Sequence, residues 1–124
     1  MKKLIFPFLA LLAGAAGAAE CNLDKGQKTF ANKCGICHVA AAGAAHTVGP
    51  NLYGIYGREP AKAEGFSYSE AMAAKQGAWD ETRLDAFLTS PNTVVPGTAM
   101  PFQGLKSAAE RQNLICYLQT LIKE

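Results

Sequence analysis

The sequence has 124 residues, of which 49% are hydrophobic and 18% are charged, and its formal net charge is +2. A chain of this length is expected to form one small domain. Its 12 basic residues barely exceed its 10 acidic ones, so the composition argues against the strongly basic surface that nucleic-acid binding needs.

The N-terminal residues 1–19 follow the pattern of a secretory signal peptide. Lys2 and Lys3 provide a positive start, an apolar run extends from Leu4 to Ala13, and small residues lead to Ala19. We expect cleavage before Glu20 and export to the periplasm. The alternative is an uncleaved membrane anchor, but the apolar stretch is shorter than the ~20 residues that a spanning helix needs.

The predicted mature domain, residues 20–124, is close to neutral. Removing two lysines from the 12 basic residues leaves 10, against 10 acidic residues. We therefore expect no nucleic-acid partner and no strongly electrostatic docking surface. Cleavage of the signal peptide would leave no permanent membrane anchor. The cysteines suit the oxidising compartment to which export leads.

The first helix of this domain is predicted to run from Asp24, as its N-cap, to about Cys34. Gly26 and Phe30 are four residues apart and share a face of it. A glycine inside a helix costs about 1 kcal/mol relative to alanine. Close approach of another backbone is the usual compensation.

Cys34, Cys37 and His38 form a Cys-x-x-Cys-His motif, the attachment signature of c-type haem. Each thiol adds across a haem vinyl group to form a thioether, and His38 can reach the iron from the same side. Two other interpretations of the cysteine pair are a redox dithiol and half of a zinc site. The zinc interpretation lacks a second ligand pair, and the dithiol does not need the adjacent histidine.

Residues 39–58 are predicted to form a loop, because glycines and Pro50 interrupt them. A short helix over 68–75 follows, with Ser67 or Ser69 as its N-cap.

Two further helices are predicted in the second half of the chain. Asp80 starts one that runs toward Ser90 and that Pro91 ends. Ser107 caps the last helix, with Glu110 as the second member of a capping box. No run of strand periodicity is present, so the predicted fold class is all-α with three to five helices.

Residues 94–102 are predicted to be irregular and include the best candidate for a second iron ligand, Met100. A thioether is a soft, neutral ligand that raises the reduction potential relative to a second imidazole. The alternative is a loop methionine that packs on apolar surface. His46 is expected to pin its loop by hydrogen bonds, and Met72 to fill the core beside the haem.

These residues resemble the class I cytochromes c, of the mitochondrial and the bacterial short-chain periplasmic type. Five motifs match in order along nearly the whole mature chain: Lys25-Gly26-x-x-x-Phe30, Cys34-x-x-Cys37-His38, Gly49-Pro50-Asn51-Leu52 with Gly57-Arg58, Pro96-Gly97-Thr98-x-Met100-x-Phe102, and Leu114-Ile115-x-Tyr117-Leu118. The resemblance implies an all-α fold wrapped around one covalent haem c, with Gly26 and Phe30 where the first helix crosses the last.

The resemblance also implies a set of cofactor contacts. Cys34 and Cys37 would bind the haem, and His38 and Met100 would ligate its iron. The Pro50 carbonyl would hold the other nitrogen of the His38 ring. The propionates would contact Arg58, Tyr68, Ser69 and Trp79, and Phe102 would also contact the haem. His46 would bridge two loops.

The chain departs from the family in its pocket and on its surface. Phe87 stands where many relatives have a tyrosine, and Met72 where they have an asparagine, which predicts fewer polar partners near Met100. Mitochondrial relatives have a ring of lysines around the haem edge, and this chain keeps Lys33 and Lys106 of them. Uncharged residues occupy other positions of the ring (Ala42, Ala45, Thr47, Asn92, Thr93, Ala99). Docking should therefore depend weakly on ionic strength.

Two cysteines lie outside the motif. If the first and last helices cross as in the family, Cys21 and Cys116 would come together as a disulfide. The alternatives are two unpaired thiols, or a lipid anchor at Cys21, for which Glu20 is a poor preceding residue.

The expected function is that of a monomeric periplasmic electron carrier, not an enzyme. The family suggests a cytochrome bc complex as donor and a terminal oxidase or photosynthetic reaction centre as acceptor. The alternative is a haem enzyme or gas sensor, peroxidase-like, with a labile sixth ligand, which would need an acid or base near the iron. A subunit bound permanently to a larger complex is a third interpretation.

Overall fold

The computed structural model describes residues 3–5, 7 and 20–122, and in these residues it contains helices and loops but no strand. The helices are α1 (Leu23–Thr29), which continues as a π-helical turn (Phe30–Cys34), α2 (Glu70–Ala73), α3 (Glu81–Thr89), α4 (Pro91–Val94) and α5 (Ala108–Gln119). The predicted all-α class is confirmed. The predicted signal peptide falls mostly outside the described residues.

The described helices are all too short or too polar to cross a bilayer.

The first helix begins earlier than predicted, because Asn22 and not Asp24 is its N-cap. The side chain of Asn22 accepts a hydrogen bond from the Lys25 backbone N–H at 2.9 Å. The Asn22 backbone N–H also donates to the Asn113 side chain on α5, at 3.0 Å. Asp24 lies in the first turn, where its negative charge complements the helix dipole.

The other predicted N-caps are confirmed. Ser69, and not Ser67, caps α2, Asp80 caps α3 and Ser107 caps α5, each by accepting a bond from the backbone N–H three residues on. The helix α3 ends before Pro91 as predicted, but Pro91 then starts α4, which the sequence analysis missed. Proline suits the first position of a helix because its fixed φ is already helical and its missing N–H is not needed there.

The helices α1 and α5 cross at Gly26. A Cβ atom on Gly26 would overlap the backbone carbonyl of Asn113 and would lie 2.9 Å from the Cβ of Tyr117. One turn further, the rings of Phe30 and Tyr117 pack with centroids 5.7 Å apart. The predicted close approach of a second backbone therefore explains this glycine.

An ion pair joins α3 to α5 beside the core. Arg111 Nε donates to Asp85 Oδ1 at 2.7 Å, and Arg111 Nη1 donates to the Leu105 carbonyl at 2.9 Å. The buried apolar side chains of these helices and of the following loops form one cluster, with Leu114 and Val95 almost fully buried.

Near the crossing of α1 and α5, the structure joins Cys21 to Cys116 as a disulfide. Their Cα atoms are 5.9 Å apart, which lies within the range that a bridge needs. The link spans 95 residues of sequence and ties the segment before α1 to the middle of α5. The other two cysteines, Cys34 and Cys37, belong to no disulfide.

Candidate cofactor site

A cavity of about 350 Å³ lies at the centre of the fold, and most of the side chains around it are apolar. Its walls come from the π-helical turn, the loops between Cys37 and Ser69, α3, the irregular segment around Met100, and α5. Both motif cysteines, His38 and Met100 line it. The fold therefore brings together residues that are far apart in sequence.

The Cys-x-x-Cys-His motif reaches the cavity through two tight turns. The Gly35 N–H donates to the Phe30 carbonyl at 2.7 Å, which closes the π-helical turn. The N–H groups of Cys37 and His38 both donate to the Cys34 carbonyl, at 3.0 and 2.9 Å. One compact stretch of backbone therefore presents both thiols and the imidazole to the same space.

A backbone carbonyl orients the His38 ring. Its Nδ1 donates to the Pro50 carbonyl at 2.8 Å, so Nδ1 carries a proton, and in the neutral ring the lone pair is on Nε2. Burial lowers the pKa of His38, and the bond to Pro50 opposes this shift. A Cβ on Gly49 would overlap the ring, so this glycine leaves room for it. The arrangement is the one that a metal-ligating histidine needs.

The cysteine chemistry argues against the two other interpretations of the motif. Burial and then the neighbouring Cys37 raise the pKa of the Cys34 thiol to about 11. A redox dithiol needs a lowered pKa. No group of three or more metal-binding side chains is present among the described residues, as a closed zinc site would require.

Met100 lies in the irregular segment on the cavity wall. Its N–H donates to Thr98 Oγ1 at 3.3 Å, and its carbonyl accepts from the Phe102 N–H at 2.9 Å. The side chain is half-buried, and Phe102 lines the same cavity.

Two of the predicted polar contacts, Tyr68 and Ser69, line the cavity, and each carries a hydroxyl group. Tyr68 accepts from the Ala63 N–H at 3.1 Å, and Ser69 accepts from the Met72 N–H at 3.1 Å. Each hydroxyl proton is thus available for a further acceptor. Trp79 is buried and lines the cavity as well.

Arg58 lies behind the cavity wall and does not line it. Its backbone pairs with two lining residues, since its carbonyl accepts from the Trp79 N–H at 2.9 Å and its N–H donates to the Ile55 carbonyl at 3.1 Å. Its Nε is buried and has no hydrogen-bond partner. A buried guanidinium donor without an acceptor is costly, so this atom marks a place for an anion.

These groups fit a haem. Two thiols can form thioethers, an imidazole and a thioether can ligate iron, and apolar walls can pack against a porphyrin. The unpartnered Nε of Arg58 and the hydroxyl donors of Tyr68 and Ser69 suit its propionates. The donor set therefore agrees with the sequence motif.

The departures from the family pattern lie where they were expected. Phe87 is buried against Trp79, with ring centroids 5.1 Å apart, and Met72 lines the cavity. His46 lies outside the lining and bridges two loops: it accepts from the Asn51 N–H at 2.9 Å on Nδ1 and donates from Nε2 to the Glu64 carbonyl at 2.6 Å. Its predicted hydrogen-bonding role is confirmed.

Sequence reasoning missed part of the wall between Pro50 and Tyr68. Leu52, Ile55 and Phe66 line the cavity, and the Phe66 ring packs edge-on against Tyr68 with centroids 4.9 Å apart. No helical or strand period marks these residues. The signal that could have identified them as cavity-lining residues was the presence of large apolar side chains in a loop interrupted by glycines.

Comparison with known proteins supports the same assignment. The sequence profile of the family described as Cytochrome c matches residues 23–121. Relatives described as Cytochrome c include one from Kluyveromyces lactis, 42% identical over 94 residues that cover 76% of this chain and 86% of the relative. Another, from Guizotia abyssinica, is 41% identical over 107 residues, or 86% of this chain and 96% of the relative. A third, from Chlamydomonas reinhardtii, is 43% identical over 104 residues, 84% of this chain and 93% of the relative.

Family members bind a covalently attached haem c through the two cysteines of the motif, which Cys34 and Cys37 provide here. The chain therefore belongs to the class I cytochrome c family, whose members carry electrons on a haem.

Proposed function

We propose that the protein is a monohaem periplasmic cytochrome that carries single electrons between redox partners, with its iron ligated by His38 and Met100. The observation that carries this proposal is that both residues line one apolar cavity together with the two motif cysteines. The haem supplies a reversible one-electron couple. The chain binds it, sets its potential and limits what else can reach it.

His38 and Met100 would act as two neutral ligands of different softness. The Pro50 carbonyl fixes the tautomer of His38 and increases the basicity of its Nε2. The Met100 thioether favours ferrous iron, so the potential should be higher than for two imidazoles. Apolar walls such as Phe87 and Met72 keep solvent and polar groups away from this side.

Arg58, Tyr68, Ser69 and Trp79 are proposed to hold the propionate end of the haem. Tyr68 and Ser69 retain hydroxyl protons that can be donated to a carboxylate. Arg58 adds a positive charge and a buried Nε that has no hydrogen-bond partner. Hydrogen bonds to charged groups are the stronger kind, which suits the burial of a charged group.

The setting is proposed from the sequence. A signal peptide cleaved near Ala19 would send the chain to the periplasm, where the bond between Cys21 and Cys116 is expected to be stable. The partners would be a cytochrome bc complex as donor and a terminal oxidase or reaction centre as acceptor, met transiently by a monomer.

An enzymatic role finds less support in the cavity. A peroxidase-like reaction needs an acid or base beside an open iron position. Among the described residues the cavity lining contains no carboxylate, and apolar side chains such as Phe87, Met72 and Leu88 contribute to it.

Optical spectroscopy of the mature holoprotein tests the ligand set. Oxidised protein should show the near-infrared band of methionine-ligated ferric haem, and a redox titration should fit one electron. Met100→Ala should lose the band and bind cyanide or azide readily. Met72→Leu is the matched control, because it changes another methionine of the same cavity and should keep the band. A wild-type protein without the band, or one that binds these anions readily at neutral pH, would favour an open iron site.

A further inference from the structure

The segment that carries Met100 is held in shape by local hydrogen bonds. We call residues 94–102 the ligand segment, and all of them except the buried Val95 are exposed or half-buried. The Thr98 N–H donates to the Val95 carbonyl at 3.0 Å, and the Met100 N–H donates to Thr98 Oγ1 at 3.3 Å. Such bonds fix the shape of the ligand segment but not its distance from the rest of the fold.

A hydrogen bond from a distant part of the chain reaches the ligand segment. Lys75 Nζ donates to the Val94 carbonyl at 3.2 Å, across 19 residues of sequence. Val94 ends α4, so its carbonyl has no partner within that helix. Among the described residues, no other hydrogen bond joins the ligand segment to the chain outside residues 90–102. Lys75 is half-buried, and its charge makes the bond stronger than one between neutral groups.

Lys75 itself belongs to a part of the chain that other contacts hold. Its N–H donates to a carbonyl of α2 at 3.1 Å, and two residues on, the Gly77 N–H donates to Glu59 Oε2 at 2.9 Å. The helix α2 also lies close to the ligand segment, since a Cβ on Gly97 would be 3.6 Å from the Cβ of Ala71. The lysine therefore joins the ligand segment to a neighbour that is anchored elsewhere in the fold.

We propose that Lys75 is a positioning residue, which keeps Met100 on the iron by holding the ligand segment in place. The inference rests on the proposed ligation by Met100 and names the residue that governs how easily this ligand is released. A thioether is a soft ligand and binds ferric iron more weakly than ferrous iron. Movement of the ligand segment should therefore open the sixth position first in the oxidised protein.

The bond should control the fraction of oxidised molecules whose sixth position is open. Lys75→Leu removes the donor and keeps an apolar stem. Loss of a hydrogen bond from a charged donor should increase the open fraction roughly tenfold, near the lower end for such bonds because Lys75 is half-exposed. Cyanide binds the open form alone, so its apparent affinity should increase by the same factor. The near-infrared band should remain, because the closed form still predominates.

A cyanide titration of the ferric holoprotein measures this change, together with the initial rate of binding. Lys75→Arg should behave like the wild type, because a guanidinium can donate to the same carbonyl. Lys62→Leu is the matched control for the lost positive charge, since Lys62 is exposed and, among the described residues, is no hydrogen-bond partner of the ligand segment. An unchanged cyanide affinity in Lys75→Leu, or an equal increase in Lys62→Leu, would overturn the proposal.

A second background shows whether Lys75 acts through Met100. In Met100→Ala the sixth position is already open, so the addition of Lys75→Leu should leave the cyanide affinity unchanged. A further increase in that background would mean that the substitution widens access to the cavity, which would overturn a positioning role. Low concentrations of guanidinium should have little effect on the cyanide rate of Lys75→Leu, because the opening is local. A rate that follows global unfolding would also contradict the proposal.

The optical spectrum of the wild type separates this inference from the proposed function. If the oxidised wild type lacks the near-infrared band, the proposed ligation by Met100 fails and the role of Lys75 fails with it. If the band is present and Lys75→Leu binds cyanide as the wild type does, only the role of Lys75 fails.

Discussion

The bond between Cys21 and Cys116 should provide a large part of the stability of the folded protein. It closes a stretch of 95 residues, for which the chain-entropy model gives an upper value of about 4–5 kcal/mol. Residual structure also makes the denatured chain more compact than a random coil, which lowers the gain from the cross-link. We therefore expect Cys21→Ala to lower the free energy of unfolding by roughly 2–4 kcal/mol, which is less than the model value.

Guanidinium and thermal unfolding of the holoprotein measure this loss. A domain of this size loses about 4–8 °C in Tm for each kcal/mol, so Tm should fall by roughly 10–30 °C. The denaturant slope m should rise, because a chain without the bridge exposes more surface when it unfolds. Treating the wild-type protein with a reductant that leaves the thioethers intact should give the same result.

The choice of Cys21 separates the cross-link from core packing. Cys21 is exposed, so its replacement removes the bridge and little else, whereas Cys116 is buried in α5. Cys116→Ala should be slightly more destabilising because it also removes a buried sulfur. If Cys21→Ala stays within about 0.5 kcal/mol of the wild type with an unchanged m value, the cross-link does not contribute the expected stability.

Three other substitutions test the packing and the electrostatics of the site. Gly26→Ala should lower the free energy of unfolding by about 1–3 kcal/mol, because its Cβ meets the Asn113 carbonyl and pushes α1 away from α5. Denaturant unfolding measures this loss, and Gln27→Ala is the control because Gln27 is exposed on the same helix. Phe87→Tyr should raise the midpoint potential, since a hydroxyl that donates to the Met100 sulfur weakens its donation to ferric iron; an unchanged potentiometric titration would contradict this. Arg58→Gln should lower the potential because a positive charge near the haem disfavours the ferric state, and Arg58→Lys should shift it less if charge is the cause.

The helices were predictable where one local interaction decides where they begin. Ser69, Asp80 and Ser107 each precede a helical segment and each accept a bond from the backbone N–H three residues on, as the capping rule requires. The rule fails at α1, where Asn22 and Asp24 are both good caps. A contact far away in sequence selects between them, because the Asn22 N–H is held by the Asn113 side chain on α5.

The ligands and the walls of the cofactor site were predictable to different degrees. The motif from Cys34 to His38 indicates haem attachment within five consecutive residues. The hydrogen bond from His38 to the Pro50 carbonyl has no such local signal, and it was expected through the family resemblance alone. Leu52 was noted only as part of a matched motif, and neither it nor Phe66 was predicted to line the cavity, because side chains that face a cofactor from a loop follow no helical or strand period.

The missing periodicity has a physical cause, which is that the cofactor forms part of the core. A cavity of about 350 Å³, with mostly apolar walls, lies where the side chains of a small domain would otherwise pack against each other. Residues 39–69 form neither helix nor strand. The hydrophobic periodicity that identifies the buried face of a helix therefore cannot identify which of these residues are buried. Their apolar side chains are expected to pack against a porphyrin. The cysteine motif is the part of the sequence that indicates the presence of this porphyrin.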